Sequence, residues 1–195
     1  MEILQALEAS RFAMFVKESG TAYTAVLAFH TIGLAFLVGI SAGTALRILG
    51  VARGLPLAPM EDFFPLMWAG FQINVLTGVV LLALYPTKFL ADPTFYIKLA
   101  TIAIAIINIR MLRSHVFGVT ASLDTTAGAK KAKLLASTLL AVWLVAITTG
   151  RLTAYTLPTK IQTATAVLVF TVVMLLVGYL AARGLAWVKS SRQGV

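Results

Sequence analysis

Residues 21–50 read TAYTAVLAFHTIGLAFLVGISAGTALRILG, an apolar run long enough to cross a lipid bilayer. A membrane-spanning helix needs about 20 predominantly apolar residues. His30 lies well inside this run, roughly 12 Å from its outer end at the rise per residue of an α-helix. An ionisable side chain at such a depth is costly to desolvate, and it therefore marks a candidate functional site.

The composition of the whole chain is that of a membrane protein. Of its 195 residues, 59% are hydrophobic and 12% are charged, and the mean hydropathy is +0.93. Soluble domains carry about 25% charged residues. The absence of cysteine excludes disulfides, thiolate metal sites and iron–sulfur clusters. The net charge of +9 does not indicate a nucleic-acid partner, because the cations fall in short segments between apolar runs.

Five apolar runs predict five transmembrane helices in a single membrane domain spanning residues 1–195. We place them at about 22–46, 66–85, 95–112, 134–155 and 163–187. Helices are expected because backbone groups in lipid must be hydrogen-bonded within the chain, and no alternating strand pattern is present. The predicted fold class is therefore all-α, an integral membrane bundle.

A short amphipathic helix is predicted before the first span, over residues 1–20. Its apolar residues recur at helical spacing, at Ile3, Leu4, Leu7, Phe12, Phe15 and Val16. Such a helix lies in the plane of the membrane interface with its apolar face toward the lipid. A disordered chain end is the alternative interpretation.

The lysines and arginines predict the orientation. One side of the five-span topology holds Arg47, Arg53, Arg110, Arg113, Lys130, Lys131, Lys133, Arg183, Lys189 and Arg192, and the other holds Arg11, Lys17, Lys88, Lys98, Arg151 and Lys160. The side with more cations is expected in the cytoplasm. The N-terminus would then lie outside and the C-terminus inside, in the inner membrane of a bacterium.

Four of the predicted spans carry a stripe of polar or small residues along one face at 100° per residue. The stripes comprise Tyr23, His30, Ser41 and Thr44; Gly70, Asn74, Thr77, Gly78 and Tyr85; Lys98, Thr101 and Asn108; and Ser137, Thr148, Arg151 and Tyr155. Polar stripes are expected to converge inside a bundle. The fifth span is almost purely aliphatic and is expected to face lipid.

His30, Lys98, Arg151 and Tyr155 are all expected in the outer half of the bundle, where they would form one pocket. Such a pocket suits haem b, with His30 as the metal ligand and the cations neutralising the propionates. It also suits a quinone head group, and on that basis the protein would be the membrane subunit of a redox assembly. A third interpretation needs no cofactor: His30 bonds a neighbouring helix, and both cations reach the lipid head groups.

His115 argues against a haem held by two histidines. It falls at or beyond the cytoplasmic end of the third span, about 20 Å from the level of His30 at helical rise. One iron cannot bridge that distance, so a haem at His30 would need another sixth ligand or none.

Several motifs resemble an uncharacterised family of small bacterial inner-membrane proteins, one of the domains of unknown function. They are HTIGLAFLVG at 30–39 with LRILG at 46–50, WAGFQINVLTG at 68–78, FYIK at 95–98 with Asn108, and GRLTAY at 150–155. The resemblance implies an integral membrane protein and supplies no activity. Its motif residues include His30, Asn74, Lys98, Asn108, Arg151 and Tyr155, which supports one shared pocket.

A looser likeness in architecture connects the chain to the copper-resistance D-type membrane domain and to haem-b membrane subunits. Those proteins usually place more histidines in their helices than the two present here. This departure counts against metal transport and against a di-haem function.

The alternative function is a non-catalytic accessory or assembly subunit of a larger membrane complex. The motif GISAG places Gly39 and Gly43 four residues apart, on the face opposite His30. Small residues at this spacing allow two helices to approach closely. We expect this face to pack on another helix of the same chain. The alternative is that it contacts another membrane subunit or a second copy of the chain, and the fifth span could also form such a contact.

Overall fold

The computed structural model describes residues 2–118 and 125–193, with the side chains of the last helix described as far as Leu180 and again at Arg183. Eight α-helices and a short 3₁₀ helix occur among these residues, and none of them belongs to a strand. The α-helices are α1 Glu2–Glu8, α2 Arg11–Glu18, α3 Gly20–Ile48, α4 Phe64–Leu84, α5 Pro86–Leu90, α6 Pro93–Phe117, α7 Thr126–Leu152 and α8 Leu157–Gln193; the 3₁₀ helix is Ala58–Phe63.

The predicted all-α membrane fold is confirmed. Within the described ranges, five helical segments are long and apolar enough to cross a membrane: Gly20–Ile48, Ala58–Leu84, Pro93–Phe117, Thr126–Leu152 and Leu157–Leu180. The protein is thus membrane-embedded. The chain divides into two compact units, Met1–Thr153 and Ala154–Val195, so α1 to α7 form one unit and α8 belongs to the other.

The helices extend beyond the apolar runs from which they were predicted. The fourth span was expected to begin near residue 134, but α7 begins at Thr126. The Thr125 side chain accepts a hydrogen bond of 3.0 Å from the Gly128 amide and thereby caps the helix. Lysine is a good helix former, so the three lysines of the following turns continue the helix although they end the apolar run.

The N-terminal segment forms two short helices rather than one. The first ends at Glu8. Ser10 caps the second, because its hydroxyl accepts a hydrogen bond of 3.2 Å from the Ala13 amide. Val16 and Ala13 are buried against Leu84 of α4, whereas Ile3 is 85% exposed. The segment therefore packs partly on the bundle; its place in the membrane interface stays a prediction.

Polar contacts also attach this segment to α5. Thr87 donates a hydrogen bond of 2.5 Å to a carboxylate oxygen of Glu8, and the Lys17 ammonium lies 3.6 Å from the other oxygen. The Thr87 hydroxyl, assisted by Lys17, holds the pKa of Glu8 below its ordinary value. These contacts are therefore fully present above that ordinary value and weaken as the pH falls through the lowered one.

Within the first unit, α3 packs on α4, α6 packs on α7, and α3 also packs on α7. The shared core contains Leu37, Met67, Ile109, Leu139 and Trp143. The Trp143 indole donates a hydrogen bond of 2.9 Å to the Ser41 hydroxyl across α7 and α3. Four spanning helices therefore form a bundle with a mostly apolar centre.

The backbones of α3 and α4 approach each other closely at two glycines. A Cβ atom added to Gly33 would lie 2.6 Å from the Gly70 carbonyl oxygen and 2.8 Å from the Asn74 amide nitrogen. A Cβ added to Gly70 would lie 2.7 Å from the Cβ of Phe36. Only glycine fits at these two positions, and the two helices lie nearly in backbone contact.

The glycines of the GISAG motif, Gly39 and Gly43, do not form the close contact between α3 and α4. Around an added Cβ at Gly39 or at Gly43, no atom of the described residues lies within 4 Å. Among the described residues of the first unit this motif therefore does not pack on another helix, because the close contact is formed about two to three turns earlier in α3 and on a different face. Packing of the motif on α8 or on another chain stays a prediction.

The stripe predicted for the fourth span is also wrong in part. Ser137 and Arg151 are exposed, and the buried face of α7 consists mainly of Ala132, Ala136, Leu139, Trp143 and Ala146. Small and aromatic residues, rather than polar ones, form the inward face of this helix.

Replacing Gly33 by alanine is expected to destabilise the protein by about 1–3 kcal/mol, because the added methyl group meets backbone atoms that cannot move independently. Gly39→Ala is the matched control on the same helix. It adds the same methyl group in open space and is expected to be neutral or slightly stabilising. Thermal unfolding in detergent measures both variants, and equal midpoints for the two would contradict the close helix contact.

Candidate functional site

A cavity of about 290 Å³ lies between α3, α4, α6 and α7. Four of the six predicted site residues line it: His30, Asn74, Lys98 and Arg151. They come from four different helices, which explains why no local sequence motif contains them together. The structure thus brings these four side chains to one place, and the ligand they would bind stays a prediction.

The two other predicted site residues do not line this cavity. Asn108 is buried in the bundle, and its side-chain oxygen has no hydrogen-bond partner among the described residues. It shares a helix face with Lys98, but ten residues of helix put it about 15 Å further along the axis. Tyr155 belongs to the second unit, where its side chain is exposed.

A hydrogen-bond network fixes the imidazole of His30. Its Nδ1 lies 3.0 Å from the Thr77 hydroxyl oxygen. That hydroxyl donates its single proton to the Ile73 carbonyl at 2.6 Å, with the Asn74 carbonyl at 3.2 Å. With that proton on the shorter contact, to the Ile73 carbonyl, the Thr77 oxygen accepts from His30, and we infer that Nδ1 carries the ring proton. In the neutral ring, Nε2 then keeps its lone pair.

Asn74 and Gly78 complete the support of His30 on α4. The Asn74 side-chain amide donates a hydrogen bond of 2.8 Å to the His30 backbone carbonyl, which ties the two helices at the same level. A Cβ added to Gly78 would lie 3.4 Å from the Cε1 of His30, so the imidazole packs against the backbone of α4 at this glycine. The ring orientation is thus determined by both bonding and packing.

The cavity contains cations without carboxylates. The Lys98 stem passes over Gly150, where an added Cβ would lie 3.6 Å from both Cδ and Cε. No aspartate or glutamate occurs among the lining residues. Arg151 is exposed at the edge of the cavity. A partly buried ammonium without a counter-ion attracts an anionic or strongly hydrogen-bond-accepting group.

The remaining walls are apolar and aromatic. They include Leu27, Leu34, Leu81, Phe89, Phe95, Ile102 and Trp143, with the phenols of Tyr23 and Tyr85. The Lys17 ammonium lies 4.8 Å from the centre of the Tyr85 ring. Phe89, Phe95 and Trp143 could not be predicted as site residues from the sequence. Aromatic side chains in apolar segments carry no signal that separates the wall of a cavity from the core of a helix bundle.

His115 takes no part in this site. Its Nε2 lies 2.9 Å from the Gly128 carbonyl oxygen, and this contact joins the end of α6 to the start of α7. A single histidine therefore lines the cavity. Among the described residues, no group of three or more histidine, cysteine, aspartate or glutamate side chains is arranged to hold a metal ion.

Comparison of the chain with family models, with curated proteins and with solved structures finds no match. The resemblance to an uncharacterised membrane family therefore stays a prediction.

The tautomer of His30 can be measured directly. Nitrogen-15 NMR of histidine-labelled protein at a pH where the ring is neutral is expected to show the proton on Nδ1. Thr77→Val removes the acceptor at 3.0 Å and is expected to shift the population toward the Nε2–H form. His115 serves as the internal control, since Thr77 does not contact it. A ring protonated on Nε2 in the unmodified protein would contradict the assignment.

Proposed function

We propose that the protein binds a small membrane-soluble molecule of the quinone class, preferentially as the hydroquinone, in the cavity around His30. One observation carries the proposal: a cavity with mostly apolar walls presents one fixed imidazole and one ammonium without a carboxylate. A ligand that fits is mostly apolar, and it offers oxygen atoms to these two groups.

The head group of a hydroquinone has the complementary chemistry. Its hydroxyl donates to the Nε2 lone pair of His30, and its second oxygen accepts a hydrogen bond from the Lys98 ammonium. The aromatic walls contact the ring faces. A volume of about 290 Å³ is at the lower limit of the roughly 300–1,000 Å³ typical of small-molecule sites, which favours a single ring over a macrocycle.

Haem b is the competing ligand. The Nε2 lone pair of His30 is also the group that ligates haem iron, and Lys98 with Arg151 matches the charge of two propionates. The haem macrocycle is larger than a cavity of about 290 Å³, so we place haem second. An absorption spectrum of the purified protein separates the two, because only haem gives a Soret band.

We also propose that the protein lies in the bacterial inner membrane with its N-terminus outside. The distribution of lysine and arginine supports this orientation, as ten of the sixteen fall on the side of the C-terminus in the five-span topology. The cavity would then lie in the outer half of the membrane, where a lipid-soluble ligand can enter from the bilayer. As the membrane subunit of a redox assembly, the protein would hold such a ligand beside its partners.

Lys98→Met is expected to weaken quinone binding by at least about tenfold, because a charge-assisted hydrogen bond contributes roughly 1.5–3 kcal/mol. Lys88→Met is the matched control: it removes an exposed lysine that does not line the cavity. Titration with a short-chain quinone and with its hydroquinone, followed by fluorescence quenching of Trp143 in the cavity wall, measures both variants.

Three results would contradict the quinone proposal. They are a Soret band that disappears in His30→Ala, equal quinone affinity in Lys98→Met and Lys88→Met, and no binding of either quinone form to the unmodified protein. A folded Lys98→Met variant is verified by its circular dichroism spectrum.

A second candidate function, an accessory subunit of a larger membrane complex, is favoured by the open face at Gly39 and Gly43. An added Cβ at either position meets nothing within 4 Å among the described residues. Glycines cost about 1 kcal/mol each inside a helix relative to alanine. Their presence on an open face is explained if another helix packs there.

The double variant Gly39→Leu/Gly43→Leu is expected to reduce the native mass of the complex purified in mild detergent, because leucine side chains separate the helices. Leu76→Phe on α4, which enlarges a side chain that is 67% exposed, is the control and is expected to leave the mass unchanged. Unchanged mass in the double variant would remove this candidate, whatever the result for quinone binding.

A further inference from the structure

A second cleft, of about 530 Å³, lies at the opposite end of the bundle from the cavity around His30. Its lining includes Glu61, Trp68, Arg110, Arg113, Ser114 and Phe117, and it thus lies between the 3₁₀ helix, the start of α4 and the end of α6. None of these residues takes part in the proposed quinone site.

Two arginines dominate the chemistry of this cleft. Arg110 and Arg113 are three residues apart on α6 and therefore share one face. Arg113 is already paired: its Nη2 and Nε lie 3.1 and 3.2 Å from the same oxygen of Glu61. Its guanidinium also lies 5.5 Å from the centre of the Phe64 ring. These contacts hold Arg113 in place at the wall.

Arg110 is held differently. Its guanidinium lies 5.4 Å from the centre of the Trp68 ring, a cation–π contact that orients the group and leaves its N–H donors available. Neither ion pair found in the described part of the chain includes Arg110. With Glu61 neutralised by Arg113, the cleft keeps one net positive charge. The exposed Ser114 adds a hydroxyl one turn further along α6.

We propose that this cleft binds the phosphate of an anionic phospholipid head group. A guanidinium presents two parallel donors that match two phosphate oxygens, and basic pockets between transmembrane helices are suited to anionic lipids. The cleft lies in the last turns of a helix long enough to span a membrane, where lipid head groups are expected, and it is lined by Trp68, a residue type enriched at membrane interfaces.

The surface next to the cleft suits the rest of a lipid. Ile104, Ile107 and Met111 of α6 are 48%, 58% and 48% exposed and follow one another along the helix toward the bilayer centre. An acyl chain can lie on this apolar ridge while the phosphate contacts Arg110. A zwitterionic lipid offers the same phosphate, but the net positive charge of the cleft disfavours its choline cation.

Arg110→Gln tests the site, and Lys131→Gln is the matched control. Both remove one exposed positive charge from the same end of the bundle, but Lys131 does not line the cleft. Native mass spectrometry counts the lipids retained from micelles that contain phosphatidylglycerol or phosphatidylcholine. Arg110→Gln is expected to reduce phosphatidylglycerol binding about tenfold, because it removes charge-assisted hydrogen bonds to the phosphate, whereas Lys131→Gln is expected to cause a smaller loss.

A conservative variant and a competition measurement complete the experiment. Arg110→Lys keeps the charge without the two parallel donors and is expected to give intermediate retention; it also replaces Arg110→Gln if the latter does not fold. Inorganic phosphate at millimolar concentration is expected to leave phosphatidylglycerol retention unchanged. Three results would overturn the proposal. The first is an equal loss of phosphatidylglycerol in Arg110→Gln and Lys131→Gln, and the second is equal retention of both lipids by the unmodified protein. The third is displacement of phosphatidylglycerol by inorganic phosphate or by an acidic peptide.

Discussion

The approach of α3 to α4 at Gly33 and Gly70 determines the geometry of the candidate site. Because neither residue has a side chain, the two backbones lie close enough for the Asn74 amide to reach the His30 carbonyl at 2.8 Å and for Thr77 to reach Nδ1 at 3.0 Å. A wider separation would break both hydrogen bonds. The half-buried imidazole would then lose the partners that offset its desolvation.

The same contact defines which groups remain for a ligand. With Nδ1 bonded to Thr77, the lone pair of Nε2 is the free acceptor, and the ammonium of Lys98 is the complementary donor from α6. Polar groups on α3 and α4 thus bond mainly to one another or to their own helices, whereas the cations of the cavity have no carboxylate beside them. The quinone proposal depends on the cations that have no carboxylate beside them. The lipid proposal depends on Arg110, which lies at the opposite end of the bundle and is held by Trp68.

Much of the architecture could be predicted from the sequence, because hydrocarbon restricts the chain to helices of bilayer length. Four of six site residues also share a cavity, since helical periodicity indicates which residues share a face. Periodicity does not give depth or packing partners. Asn108 therefore lies about two to three turns from Lys98 along α6, and the close contact uses Gly33 rather than the more conspicuous Gly39 and Gly43. Tertiary contacts determine both the depth of a residue in the bundle and the glycine at which two helices meet.

The most direct test of this account is the distance between α3 and α4 in a lipid bilayer. Magic-angle-spinning NMR of protein labelled only at glycine and asparagine isolates the contact, because asparagine occurs only at Asn74 and Asn108. The account predicts a cross-peak between the Cα carbons of Gly33 and Asn74, with none from Gly39 to either asparagine. A spectrum without the Gly33–Asn74 cross-peak would contradict the close helix contact, and with it the support of His30 and the proposed ligand site.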